Sequence, residues 1–307
     1  MRRIALITAC FLLGLTATAC GSDSFKSDSA GGSKSVTVVG QQFTEADVMT
    51  QLYKLVLEKA GYSVKVKNFG TRDIYLSALQ NNDVQVAADY LSSLTEALNK
   101  KKNGADAAPV ASNDQAATVA KLGELAADYS ITPLDPAQAQ DANAYAVTQA
   151  YSDANGVTKL SDLAGKTVTL AANSDCPERA DCAKGLEQVY GIKIAKVLPL
   201  GFGSAETKNA LIKGEVQLGQ VGTSDATLKN KALVILQDDK AWQNAENLVP
   251  VVNSTWLKDN PKAKDALNAL SAALTTADLA VLNGKVDIER ELPADAAKAW
   301  LTDKGLL

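Results

Sequence analysis

The chain has no histidine among its 307 residues. That absence removes Ser-His-Asp and Cys-His catalysis and argues against an ordinary zinc enzyme, since imidazole is the usual metal-holding side chain. A Ser-Lys pair remains possible in principle, but nothing in the sequence sets a base beside Ser93. Asp89 and Glu45 are the only obvious carboxylates near the segments nominated below as a ligand site. The expectation is a protein that binds rather than transforms, with no cofactor.

Of the four cysteines, Cys10 and Cys20 belong to the N-terminal segment, which leaves Cys176 and Cys182 in the folded body. An even pair in an oxidising compartment favours a disulfide over two free thiols. Residues six positions apart cannot be bridged within a regular helix, so Cys176-Pro-Glu-Arg-Ala-Asp-Cys182 is expected to be a bent loop or a distorted helix start. The spacing is not the Cys-x-x-Cys of redox catalysis.

These side chains need elements to hold them. A strand at Val36-Thr-Val-Val39 leads into Gly40-Gln-Gln-Phe-Thr-Glu45, a helix, Ala60-Gly-Tyr62, a second strand to Phe69-Gly70, and Ala78-Leu-Gln-Asn-Asn-Asp-Val-Gln85. The same order begins again at Val168, and the offset that carries Ala78-Leu79 onto Ala210-Leu211 also carries Asn82-Asp-Val-Gln85 onto Gly214-Glu-Val-Gln217. Two similar α/β lobes are expected, each an alternation of strands and helices around a parallel sheet. Thr44 is expected to cap a helix whose apolar face is Val48, Leu52, Leu55 and Val56. Helices are also expected over 73–79, 115–127, 261–274, 276–283 and 295–301, and extended segments over 84–88, 131–134, 144–147 and 248–252.

Ligands of such sheets meet the carboxyl ends of the strands. In the first lobe those ends carry Gly40-Gln-Gln-Phe-Thr44, Gly70-Thr-Arg72 and Asp89-Tyr90; in the second they carry Gly222-Thr-Ser-Asp225. The chain crosses between lobes twice, which makes a hinge. The fold class is therefore α/β and bilobal, with residues 36–142 and 249–307 as lobe 1 and residues 143–248 as lobe 2.

The N-terminus shows where such a body would work. Arg2-Arg3, an apolar run over residues 4–15 and Ala17-Thr-Ala-Cys20 have the form of a secretion signal. The small residue before Cys20 resembles a bacterial lipobox, so Cys20 is the expected lipidation site; cleavage near Ala19 would instead release the protein. Residues 21–35, mostly Ser, Gly, Asp and Lys, read as a flexible tether. The apolar run is too short for an ordinary spanning helix. A net charge of −4 with acidic and basic residues dispersed along the chain offers no basic patch for nucleic acid.

Beyond the tether the whole chain resembles the substrate-binding proteins of ABC transporters for glycine betaine, carnitine and choline. The matching segments are Gly40-Gln-Gln-Phe-Thr-Glu45 against the family's Ser-Lys-x-Phe-Thr-Glu, the stretch from Asp83 to Ser92, Asn143-Ala-Tyr-Ala146, Leu160-Ser-Asp-Leu163, Arg179-Ala-Asp181, Leu236-Gln-Asp-Asp-Lys240 and Leu282-Asn283. The resemblance implies a type II periplasmic-binding-protein fold and a monomer lipid-anchored outside the cell membrane. Its partners would be a quaternary amine and a membrane permease. A quaternary ammonium has no hydrogen to donate, and aromatic faces hold it at about 0.5–2 kcal/mol each. Tyr90 and Tyr145 match cage tyrosines of the family, one from each lobe, and Arg179 matches a carboxylate-binding arginine. Gln41 stands where the family often has lysine, Ser93 where it has threonine, and Gly222 where another cage tyrosine is common.

Strand ends and resemblance together nominate Gln41, Phe43, Thr44, Asp89, Tyr90, Ser93, Tyr145, Arg179, Gly222 and Thr223 as ligand-binding. The departures weaken carboxylate recognition and enlarge the pocket, so choline or a bulkier relative is expected over glycine betaine. Tyr75, Phe43, Phe202 and Trp242 could each fill the gap at Gly222, but core or surface packing is the preferred reading for each. Arg72 and Asp73 are rim candidates. Asp89 either meets the cation or caps a neighbouring backbone group. A different small molecule, or a sensory or adhesive role on the same fold, is the alternative function.

Overall fold

A computed structural model describes residues 35–307. The signal, the lipidation site at Cys20 and nearly all of the tether lie outside the described residues. The first unit runs β1 (Ser35–Gln41), α1 (Thr44–Lys59), β2 (Ser63–Phe69), α2 (Arg72–Gln80), β3 (Val86–Tyr90), α3 (Leu91–Asn103), α4 (Gln115–Ala127) and β4 (Ile131–Pro133). The second runs β5 (Asn143–Thr148), α5 (Gln149–Asn155), β6 (Thr167–Ala172), α6 (Ala183–Tyr190), β7 (Lys193–Pro199), α7 (Ala205–Ile212), β8 (Leu218–Gly222), α8 (Thr227–Asn230) and β9 (Leu233–Ile235). The chain then returns through β10 (Leu248–Asn253) to α9 (Ser254–Asp259), α10 (Pro261–Ala273), α11 (Thr276–Asp287) and α12 (Pro293–Asp303).

Two five-stranded sheets result, ordered β2-β1-β3-β10-β4 and β7-β6-β8-β5-β9. β1 is parallel to β2 and β3, as β6 is to β7 and β8, while β10 and β5 enter their sheets antiparallel. The internal repeat extends to single hydrogen bonds. Gln85 accepts from Thr37 N through Oε1 at 2.8 Å and donates its backbone N–H to Thr37 O at 3.1 Å. Gln217 does the same with Thr169, at 3.0 and 3.2 Å.

Each sheet is covered on both faces, as an amphipathic helix on a buried strand requires. In lobe 1 one core joins Val36 and Val38 to Leu52, Tyr53 and Val56 of α1 and to Leu267, Leu279 and Leu301 of α10 to α12. The opposite core joins Val39 and Ala87 to Leu76, Leu94 and Leu122 of α2 to α4. The last three long helices thus pack on the first sheet, where α1 supplies the apolar stripe; each fully buried Leu or Val contributes about 1.5–3 kcal/mol. Lobe 2 has the same arrangement around Leu170, Leu186 and Leu218 on one face and Ala171, Leu211 and Val221 on the other.

Between the lobes the two connectors lie side by side. Asp141 N donates to Glu246 O at 3.1 Å and Leu248 N to Ala139 O at 2.9 Å, with Gln140 bridged antiparallel to Asn247. Such a two-strand ribbon can bend with few contacts to break.

Candidate functional site

Strand ends of both sheets face a cleft beside this ribbon. One compartment, about 300 Å³, is lined by Phe43, Thr44 and Glu45 from lobe 1, Asn283 from α11, and Phe202, Gly222, Ser224 and Asp225 from lobe 2. A second, about 280 Å³, is lined by Asn143, Asn173, Arg179, Asp181, Gln220 and Glu246. Asp141 and Phe202 border both.

Phe43 and Phe202, 42% and 41% exposed, present aromatic surface from opposite lobes. Phe43 stands two residues after the end of β1 and is backed by Tyr90, stacked at 6.4 Å between ring centres. Phe202 sits between two glycines of positive φ, Gly201 (+96°) and Gly203 (+54°), which let the loop after β7 turn the ring outward.

The cleft is acidic. Glu45 is 4% exposed; Tyr90 donates its hydroxyl to Oε1 at 2.5 Å and Asn283 donates Nδ2 to Oε2 at 2.7 Å. Burial, and after it the charge of Asp141, push the Glu45 carboxyl above its ordinary range, against hydrogen bonds from Tyr90, Ser224 and Asn283. Burial likewise raises Asp141, against hydrogen bonding to Ser224. Burial pushes Glu246 up to about 6 although Ser93 donates both N–H (3.1 Å) and hydroxyl (2.8 Å) to it. Among the described residues none of these three carboxylates has an ion-pair partner, and the nearby cations are committed. Arg72 pairs with Asp89, Lys208 with Asp225 at 2.6 Å, and Arg179 with Asp181 and Asp175.

Three buried side-chain polar atoms among the described residues have no hydrogen-bond partner: Asn68 Oδ1, Trp256 Nε1 and Asn283 Oδ1. Only Asn283 lines the cleft. An orphaned buried acceptor costs about 1–3 kcal/mol.

A model of the substrate-binding domain of ABC-type glycine betaine transport systems matches residues 34–303. The chain belongs to that family. It is a transport solute-binding protein by family, and such proteins work on the extracytoplasmic side of the membrane. A glycine-betaine-binding protein of Pseudomonas aeruginosa is 24% identical over 285 residues, spanning 89% of each chain. The glycine betaine-binding protein YehZ of Escherichia coli is 24% identical, over 85% of this chain and 88% of its own. A crystal structure of a glycine betaine/carnitine/choline ABC transporter protein superposes with a TM-score of 0.77 at 20% identity, covering 88% of this chain and 99% of the other. The bilobal α/β expectation is met by this likeness. Among the described residues no helix is long and apolar enough to cross a membrane.

Within this family member the nominated residues divide. Phe43, Thr44 and Gly222 line the first compartment and Arg179 the second. Tyr90 stands behind Glu45 and Phe43, with its ring partly buried. Gln41 closes β1 opposite Phe69 and lines neither compartment. Thr44 does not cap α1: it is the first helical residue, Phe43 holds the cap position, and the Thr44 hydroxyl donates to Asp287 at 2.7 Å. Asp89 is fully buried, gripped by the Arg72 guanidinium with Nη2 at 2.8 Å and by the Tyr75 hydroxyl, and it accepts Tyr90 N at 2.8 Å. Of its two expected roles it takes the backbone one, and Arg72 is its counter-ion rather than a free rim charge. Ser93 serves Glu246, and Thr223 ties the connector, donating to Gln140 O and accepting Ala142 N at 2.9 Å each.

Tyr145 is placed deep in lobe 2. Its ring is 1% exposed and stacks on Trp242 at 6.1 Å, and its hydroxyl donates to Asp181 O at 3.1 Å. In this conformation it borders neither of those two compartments but a separate cavity of about 590 Å³ beside the connector, which Thr223 also lines, while Trp242 and Tyr190 give its ring an apolar bed. The Cys176–Cys182 disulfide, Cα atoms 5.2 Å apart, closes the loop that carries Arg179 and Asp181. A bridge over so short a loop limits the unfolded chain by roughly 2–3 kcal/mol.

Gly222 is not the edge of an empty gap. A β-carbon there would lie 2.6 Å from Asp141 Oδ1 and 3.4 Å from the Phe202 ring. Asp141 and Glu246 are cleft residues that sequence reasoning did not raise; Asn283 entered only through the family match, and Phe202 was considered for the gap at Gly222 but assigned to packing. Phe202 between two glycines carried the one usable signal.

Proposed function

We propose that this protein captures a quaternary ammonium compound of the choline or betaine type in its interlobe cleft and delivers it to an ABC permease. Capture would combine cation–π contact with charge and hydrogen bonding, and a choline-like ligand without a carboxylate is the preferred one. The carrying observation is the pairing of carboxylates without an ion-pair partner, Glu45 and Asp141, with aromatic rings from both lobes in one compartment. A desolvated cation gains about 0.5–2 kcal/mol from each ring and more from a carboxylate that has no counter-ion. A ligand carboxylate would find Arg179 already paired and meet only like charges near Glu45.

Because Phe43 and Phe202 come from different lobes, a cation held between them would favour the closed form and so signal occupancy to the permease. Residues 36–142 with 249–307, and 143–248, are proposed as the two bodies that move. Lipidation at Cys20 is proposed as the anchor that keeps the receptor beside its permease as a monomer. Calorimetric titration of the unlipidated chain with glycine betaine, carnitine and choline tests the reading. Choline is expected to bind tightest; tighter binding of glycine betaine would reverse the proposed selectivity, and no binding by any of the three would refute the function.

A further inference from the structure

Asn283 is an unusual neighbour for two carboxylates. It is 6% exposed, and its Nδ2 donates to Glu45 Oε2 at 2.7 Å and to Ser224 O at 3.4 Å. An ionised carboxylate only accepts, so Glu45 fixes which end of the amide faces it. Asn283 Oδ1 is thereby left over, and it has no hydrogen-bond partner. Acceptors of Glu45, Asp141 and Asn283 therefore belong to one compartment, and the donors there, Ser224 among them, are already engaged.

The hydroxyls nearby are already spent. Tyr90 donates to Glu45 and Thr44 to Asp287. Lys208, the cation on the same wall, is held by Asp225 and Thr227 at 2.6 and 2.7 Å. Gly222 matters because a side chain there would crowd the Asp141 carboxylate, whose Oδ1 lies 2.6 Å from where its β-carbon would stand. At this strand end the second lobe presents a carboxylate delivered by the connector in place of a side chain of its own.

We infer that Glu45, Asp141 and Asn283 form an acceptor cluster that takes the donor-bearing end of a cationic ligand. That donor would be a hydroxyl or an N–H, so the cluster selects amino-alcohol cations over cations that lack a donor. The inference rests on the quaternary-amine reading and goes one step further, since charge and cation–π contact alone would not distinguish a donor from a methyl group. A donor placed here satisfies the orphaned Asn283 oxygen and shares its proton with a carboxylate that has no counter-ion. No other group in the compartment offers both.

Choline and propyltrimethylammonium, nearly isosteric and differing in hydroxyl against methyl, separate the two contributions. Calorimetric titration of the full chain is expected to give about tenfold tighter binding of choline, the worth of one hydrogen bond to a charged acceptor. In Glu45→Gln and Asp141→Asn, which keep the shapes and remove the charges, the ratio is expected to fall toward one while both proteins still unfold cooperatively well above the titration temperature. Equal binding of the two cations by the parent overturns the acceptor cluster and leaves the quaternary-amine reading standing. Failure of both cations, and of glycine betaine, removes both. A ratio that survives in both variants also overturns it, because the donor is then read elsewhere. Should one variant fail to fold, the other and the parent ratio still decide.

Discussion

β3 and β8 hold the same place in their sheets, and their ends differ completely. Each is entered through a glutamine bonded to the neighbouring strand, Gln85 to Thr37 and Gln217 to Thr169. β3 then ends in Tyr90, an aromatic that donates to Glu45 from its own lobe. β8 ends in Gly222, and the volume beside it is taken by Asp141 from the connector and Phe202 from the loop after β7. The frame is duplicated because both copies bury the same apolar pattern; the strand ends diverge because nothing in the core constrains them. One lobe lines the cleft beside its own strand end, the other with what distant segments bring to it.

Restoring the symmetry should break the site most severely. Gly222→Tyr puts a β-carbon against Asp141 and is expected to cost roughly 3 kcal/mol, the upper range for overpacking, with loss of choline binding. Thermal unfolding and titration measure both; a stable variant that binds choline as the parent does would mean that Asp141 is free to move aside. On the other lobe, Tyr90→Phe keeps the ring and removes a donor to a buried carboxylate. A loss of about 2 kcal/mol is expected by denaturant unfolding. A negligible change would show that Asn283 alone satisfies Glu45.

The acidity of the cleft gives the comparison a pH signature. Glu246 faces Ser93, Arg72 and Asp89 and stands at about 6, above its unfolded value of 4.5. The folded state then holds more protons than the unfolded one between those values, so stability present at low pH is lost as pH rises through about 6. The loss is roughly 1–2 kcal/mol. Glu45, facing Tyr90, Asn283, Ser224 and Asp141, and Asp141, facing Ser224 and Asp225, act in the same direction. Asp278 acts oppositely. Burial pushes it up, but Thr275, Trp300 and Lys304 hold it down to about 2, so its contribution is lost as pH falls from about 4 to 2. The empty protein should melt lower at pH 7 than at pH 5, and saturating choline should flatten that slope. A melting temperature that rises from pH 5 to 7 without ligand would show that the cleft carboxylates are better solvated than their burial suggests.

The smallest effect tests the duplicated frame. Gln85→Ala and Gln217→Ala should each cost about 1 kcal/mol for the bond they share, with Gln85→Ala the costlier by a few tenths because its exposed Nε2 also donates to Asn82 O at 2.9 Å. A negligible loss in either variant would mean that the repeat is one of shape and not of energetics.

Local patterns were readable where local physics decides. The helix expected over residues 115–127 is α4, capped by Asp114 accepting Ala117 N at 3.0 Å. The helices expected near the C-terminus are α10 to α12, with bounds shifted by a few residues. The cysteine pair forms its expected bridge across a bent loop. Short helices such as α5 and α9 carried too few turns for a period to show. Thr44 has the chemistry of a cap and lies one residue inside the helix, where Asp287, far along the chain, uses its hydroxyl. Asp89 and Arg72 each suggested contact with the ligand, yet each is the other's partner.

The sequence by itself determined the duplicated α/β frame, because alternating apolar strands and amphipathic helices have few ways to bury their faces. It also determined the disulfide and, through Gln41 and Gly222, the expectation of an altered ligand site. Only the tertiary structure decided what fills that site. Asp141, Phe202 and Asn283 come from the connector, a loop of the second lobe and a helix of the first, and no spacing along the chain reports such a meeting. Burial in that meeting place, full for Glu45 and partial for Asp141, is what raises both carboxyls, and among the described residues neither finds a counter-ion there.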